Sequence, residues 1–387
     1  MTSLKELFLL DPEVVFLNHG SFGATPRPVF EAYQAWQRRL ERQPVQFIGS
    51  DLTEHLATAR AHVGAFVGVA ADDLVFVPNA TTGVNIVARS LAWQPGDEIL
   101  ATDHEYGACV NTWHFIGQKT GAVYRPQAVT LPVDSAESLL EQFWQGVTPR
   151  TKLIFLSHIT SPTALRLPVE AICARARAAG ILTLIDGAHA PGQLALNLTQ
   201  LGADFYTGNL HKWAMAPKGS AFLYTHPSRQ GLIEPLVVSW GWGPNAILNF
   251  GSPYLNALQW LGTQDPSAYL AAPAALAFMA EQQWEQVQAR CHALVTEWLR
   301  RMGELTGLPA LYPDDSFYGQ MAAAALPPVA DLPAFKQALL TRFRVEIPCL
   351  TWQNFQLIRL SAQGYNDSAD IEAALHAVST LLAEQRR

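Results

Sequence analysis

The chain has 387 residues, 49% hydrophobic and 15% charged, enough to bury a large core and, by length, to form two or three domains. Its net charge is −7 with Lys and Arg scattered along it, which argues against a nucleic-acid or acidic-membrane surface. Four widely spaced cysteines (Cys109, Cys173, Cys291, Cys349) show neither metal-ligand spacing nor a disulfide framework; with no visible signal peptide or membrane-length apolar run, the expectation is a cytoplasmic globular protein.

From about Asp72 to Thr225, short β-rich runs alternate with helical periods. The predicted strands are Leu74–Val77, Glu98–Ala101, Leu153–Ser157, Ile181–Ile185, Asp204–Tyr206 and Ser220–Tyr224. A helix over Val169–Ala179 is opened by Pro168 and closed by Gly180. Strands separated by helices predict an α/β fold whose mostly parallel sheet is flanked by helices. After Gln264 the composition changes. An Ala- and Gln-rich helical stretch runs from Ser267 to Gly303 and is followed by Met321–Ala325. A helix is expected near Leu332–Arg342, strands near Val345–Ile347 and Phe355–Leu360, and a closing helix over Ala369–Glu384. The expected division is an N-terminal arm (1–25) that contributes to the small domain and the site, a large domain (26–264), and a smaller C-terminal α+β domain (265–387).

Ligand sites in such sheets lie outside the carboxyl ends of the strands. Pro78-Asn79-Ala80-Thr81-Thr82-Gly83 follows the first strand and opens an amphipathic helix, a place that offers free N–H groups to a phosphate or simply a helix cap. Asp186 directly follows a buried strand and could hold a protonated ring nitrogen or cap a helix. Lys212, flanked by His211 and Trp213 in a mostly apolar stretch, has the setting in which an amine loses its proton, although a lone lysine is usually a solvated charge. Neither a Walker A pattern nor a dinucleotide glycine motif follows the first strand.

Phosphate turn, strand-end Asp and then Lys, in that order, resemble the fold-type I pyridoxal-phosphate enzymes. Within them the chain is most similar to the class V aminotransferase group and its isopenicillin N epimerase-like branch. The resemblance spans nearly the whole chain, through FLNHGSFGATP, PNATTGVN, TDHEYGA, SHITSPT, LIDGAHAPGQ, TGNLHKW with PKGSAFLY, GTQDPSAYL and IRLSAQGYN. It implies that Lys212 holds pyridoxal phosphate as a Schiff base and moves the α-proton. Asp186 is implied to pair with the ring nitrogen, and His189 to lie near the ring's phenolic oxygen. Ala80 and Thr81 would bind the phosphate through backbone N–H groups, helped by Asn209 and His211. Thr263 would be a phosphate contact supplied by the other subunit of a homodimer with shared active sites. Tyr106 aligns where relatives carry a His stacked on the ring, with His104 as the alternative. Ser161 falls beside the ring oxygen, Arg359 would grip the substrate carboxylate, and the His19–Gly23 turn, with His19 and Ser21, would sit by the substrate.

The reaction expected is epimerase-like or aminotransferase chemistry at the α-carbon of an amino-acid-type substrate. Its alternatives are C–S lyase or cysteine-desulfurase chemistry and a non-catalytic binding module. A desulfurase needs a mobile nucleophilic cysteine, and the one candidate, Cys349, ends an apolar strand pattern rather than sitting in a loop. Trp240, Trp242 and Tyr254 could line a roomy pocket or belong to the core.

Overall fold

A computed structural model describes residues 4–244 and 246–385. Strands are numbered in chain order. A short strand, β1 (Val15–Phe16), precedes the seven of the main sheet: β2 (Leu74–Val77), β3 (Glu98–Thr102), β4 (Val123–Gln127), β5 (Thr151–Ser157), β6 (Leu182–Asp186), β7 (Phe205–Asn209) and β8 (Ala221–Thr225). Their spatial order is β2-β8-β7-β6-β5-β3-β4, and only β8 runs against its neighbours. Continuous apolar runs make the central strands: every residue of β2, β3, β7 and β8 is buried, as expected for a sheet covered on both faces.

All six strands expected from the sequence are present, each within three residues of its expected ends. The one not anticipated in this sheet is β4. Its residues VYRPQ are half-exposed and include Pro126, which an edge strand tolerates because it need not donate on its free side. The helix Val169–Ala178 lies as expected, while the Ser267–Gly303 stretch is three helices, Ser267–Leu270, Ala272–Glu281 and Trp284–Thr306.

The C-terminal part holds a three-stranded antiparallel sheet, β11-β12-β9, where β9 is Met321–Leu326, β11 is Cys349–Trp352 and β12 is Phe355–Ser361. Between them in sequence, β10 (Val345–Glu346) pairs in parallel with β1. The first residues of the chain are thus tied to its last hundred: Val15 lies beside Val345, and Asn18 bridges to Ser361. Among the described residues no helix is long and apolar enough to cross a membrane. Tyr254 belongs to the core, its hydroxyl 3.0 Å from Thr225 Oγ1, whereas Trp240 and Trp242 are more than half exposed. The sequence left both readings open for these aromatics, and none of them lines the cavity described next.

Candidate active site

The carboxyl ends of β2, β5, β6 and β7 open onto one cavity of about 350 Å³. Into it come Ala80 and Thr81 after β2, Ser157 at the end of β5 and Ser161 beyond it, Asp186 at the end of β6 and His189 beyond it, and Asn209 at the end of β7 with His211 and Lys212 beyond it. Tyr106, the N-cap of the helix Gly107–Thr120, and Ser21 from the N-terminal turn complete its wall. Because β8 runs in the opposite sense, its beginning lies at the same edge, and Gly219 also lines the cavity.

Lys212 is the centre of this arrangement. Its amine is removed from water, and burial, with the nearby Arg359 charge, lowers its pKa to about 8. Its Nζ stands 3.2 Å from His189 Nε2. Trp213 Nε1–H donates to His189 Nδ1 at 3.3 Å, and an indole nitrogen can only donate. The Trp213 donor puts the imidazole proton on Nε2, facing Nζ. Burial also drives His189 well below its usual pKa, so the ring is neutral.

Asp186 is fully enclosed, and burial raises its pKa; the Ala188 N–H, 2.9 Å from Oδ1, and the charge of Lys212 work the other way. Cys109 Sγ–H points at Oδ2 from 3.5 Å. The N-terminus of the helix Ala80–Ser90 is capped by Asn79, whose Oδ1 accepts from Thr82 N–H. Here the structure refines the expectation for the phosphate turn: Ala80 N–H already donates to Asn209 Oδ1 at 2.8 Å, so Asn209 braces the turn. His211 Nδ1–H donates to Ser220 O at 3.0 Å, and burial lowers its pKa to about 4.

Arg359 stands just behind the wall on β12. Its guanidinium donates to Ser161 O and lies 3.4 Å from Ser161 Oγ and from Ser21 Oγ, while Nε is buried without a partner. Burial lowers its pKa to about 10, leaving it charged.

Two residues expected in this chain's site, His104 and His19, stand elsewhere in the fold. His104 is fully buried with both ring nitrogens engaged, Nδ1 with Thr163 Oγ1 at 2.7 Å and Nε2 with Val129 O at 2.9 Å, and it packs on Trp352. It joins the β11–β12 hairpin to the main sheet, and Tyr106, two residues on, is the one that faces the cavity. His19 is buried too, bonded to Tyr365 and to the backbone of Lys212 rather than facing a substrate. Thr263 is exposed on a bend and does not line this chain's own cavity.

Sequence reasoning passed over Glu105. Its carboxyl is buried beneath Ser157, with Oε1 2.6 Å from Thr102 Oγ1 and Oε2 2.9 Å from Ser157 N and 2.6 Å from Ser157 Oγ. Burial raises its pKa to about 7. The available signal was an acid beside Tyr106 at the end of a buried strand. Cys349 begins β11, paired opposite Ile358, and burial pushes its thiol up to about 12, the state of a packing residue rather than a nucleophile.

The family described as Aminotransferase class-V matches residues 15–322 of the chain. An isopenicillin N epimerase from Amycolatopsis lactamdurans is 35% identical over 97% of both chains. A putative L-cysteine desulfhydrase from Oryza sativa subsp. japonica is 30% identical over 96% of this chain and 84% of its own. Among solved structures, a cystine C-S lyase, C-DES, superposes with a TM-score of 0.83 at 25% identity, covering 95% of this chain and 98% of that one. The chain belongs to the class-V aminotransferase family. It is a pyridoxal-phosphate-dependent enzyme. The cavity suits that cofactor in its own right: a buried amine for the aldehyde, a buried acid for the ring nitrogen, and a helix N-terminus for the phosphate.

Proposed function

As a class-V aminotransferase-family enzyme, we propose, this protein labilises the α-proton of an amino-acid-type substrate, with epimerase-like or aminotransferase outcome. The observation that carries this reading is Lys212: a desolvated amine with a pKa near 8, in one cavity with Asp186 and beside Arg359. When bound, pyridoxal phosphate supplies an electron sink for a carbanion at the substrate α-carbon. Lys212 would hold the cofactor through Nζ and, once released, serve as the base for the α-proton, a role for which a pKa near the working pH is suited. Asp186 would keep the ring nitrogen protonated, and His189, with its proton on Nε2, would donate to the ring's phenolic oxygen beside Ser161. Thr81, His211 and the turn braced by Asn209 would take the phosphate. Arg359 would grip the substrate carboxylate, with Ser21 and Ser161 aligning its fork. Tyr106 would cover the ring, and its hydroxyl or a water would return the proton on the face that Lys212 does not reach.

The named relatives also support a second reading, β-elimination of a sulfur group, since one is a putative L-cysteine desulfhydrase and the structural neighbour a C-S lyase. Epimerase-like chemistry is preferred because the more similar relative carries that name. The working unit proposed is a homodimer in which Thr263 reaches the phosphate of the other protomer's site. Supporting this are its exposure outside its own cavity and the exposed run of Leu236, Val237, Val238, Trp240 and Trp242. Four unpaired cysteines support a cytoplasmic location.

The test is a visible spectrum of the purified protein and of Lys212→Ala, with borohydride reduction and peptide mass spectrometry. Wild type should show a lysine-bound cofactor fixed by reduction to Lys212, and the variant should not. Amino acids would then be screened in deuterated water for α-proton exchange, inversion, keto-acid release and sulfide release. Exchange with inversion or keto acid supports the proposal, sulfide supports elimination, and folded protein that takes up no cofactor sinks both.

A further inference from the structure

His19 reaches the catalytic lysine from behind. Its ring is fully buried, and Nε2 lies 3.0 Å from Lys212 O. A carbonyl only accepts, so the bond to Lys212 O requires the proton on Nε2, with Nδ1 then accepting from the Tyr365 hydroxyl at 2.9 Å; the side-chain amide nitrogen of Gln363 also stands 3.2 Å from Nε2. The same carbonyl also accepts from Met215 N–H at 3.1 Å, so its two lone pairs are both used. Contact between the two segments is backbone to backbone: a Cβ added to Gly23, whose φ is +73°, would stand 2.0 Å from His211 O and 2.9 Å from Lys212 Cα. Tyr365 in turn belongs to a C-terminal turn held to the N-terminal strand, where Asn366 Nδ2 donates to Phe16 O at 3.1 Å. A chain of contacts therefore runs from the C-terminal part through the His19 ring to the main chain of Lys212. Burial lowers the His19 pKa to about 3, so the ring is a neutral donor at any working pH and has no proton of its own to give in a reaction.

We propose that His19 is a positioning residue for Lys212: its grip on the Lys212 carbonyl fixes where the amine stands in the cavity, without contact to substrate. The inference rests on the reading of Lys212 as the cofactor-holding base. With His19→Ala, the Lys212 carbonyl loses one partner and a ring-sized void opens beside the lysine turn, which admits water and weakens the desolvation of the amine. With His19→Gln, an amide N–H and carbonyl of similar reach can keep both partners.

Two readouts on the full-length protein decide it. In the first, the cofactor is removed and Lys212 is acylated with acetic anhydride across pH, its reactivity read by peptide mass spectrometry. Wild type should titrate near pH 8, where burial sets the amine. His19→Ala should titrate higher, with Lys212 reactivity at pH 8 reduced about fivefold or more. In the second, the holoenzyme of His19→Ala should lose about tenfold or more in kcat for α-proton exchange, with KM changed less than about twofold. His19→Gln should recover both to within about threefold of wild type. An unshifted Lys212 titration in folded His19→Ala overturns the proposal. So does a raised KM at constant kcat, which would make His19 a substrate contact, and so does a folded His19→Gln as impaired as the alanine variant. Should His19→Ala not fold, Tyr365→Phe keeps the ring but removes the donor to Nδ1; it must shift the titration in the same direction or the proposal falls. If wild type never binds the cofactor, the proposed function fails, while the acylation comparison still decides the role of His19.

Discussion

Replacing Arg359 with lysine keeps the charge and removes the fork. In the structure two prongs of the guanidinium are steered by Ser161 and Ser21, and the third donor, Nε, is buried with nothing to bind. A buried donor left unmade costs about 1–3 kcal/mol, which an incoming carboxylate would remove. Lysine offers a point charge on a flexible stem, so one of two charge-assisted hydrogen bonds to the carboxylate is lost. At about 1.5–3 kcal/mol for such a bond, KM should rise about 10- to 150-fold. The assay is steady-state α-proton exchange on an amino acid that wild type accepts, run beside the α-carboxamide of the same compound. Wild type should discriminate strongly against the amide, and Arg359→Lys should lose most of that preference. An unchanged KM in folded Arg359→Lys, or a preference for the free acid that survives intact, would show that the carboxylate is held elsewhere.

Glu105→Gln probes the buried acid beneath Ser157. Its pKa is raised from 4.5 to about 7, so folded protein keeps the proton between those values where the unfolded chain has released it. That stability is complete below about pH 4.5 and is lost as pH rises to 7, by roughly 3 kcal/mol. Thermal unfolding should therefore show the variant gaining on wild type between pH 5 and pH 8, and a constant difference would refute the assignment. Gly23→Ala should destabilise by about 2–5 kcal/mol, from a strained positive φ and the overlap with His211 O. Gly231→Ala, where a Cβ meets nothing within 4 Å, is the control, and equal melting temperatures for the two variants would contradict the close approach.

Most of the large sheet was legible because its strands are short apolar runs, such as LVFV in β2 and TKLIFLS in β5, that nothing but burial on both faces explains. The edge strand β4 was not, since exposure on one side and Pro126 erase that pattern. The cavity residues were legible where they end such strands or come just after them, as Asp186 and Lys212 do. His104 and Tyr106 show where the sequence left a choice open: both lie in one short turn, and only the path of the backbone sends the first into the interior and the second to the cavity wall. Local sequence does not encode that path. Nor does it encode the props of the site, because His19 meets Tyr365 across 346 residues and Arg359 meets Ser21 across 338.

That separation sets an order of events in the life of the chain. Residues 15–23 leave the ribosome more than 300 residues before their partners, so β1 has no partner strand until Val345 and Glu346 exist, and His19 has no hydroxyl to meet until Tyr365 does. All seven strands of the main sheet lie within residues 74–225, whereas the seat of Lys212 closes only when residues 15–23 have met residues 345–366. A chain lacking either segment would leave Lys212 more open to water, without the full burial that lowers its pKa to about 8. The surroundings of that amine are thus finished late, because they wait on a contact that spans 346 residues of chain.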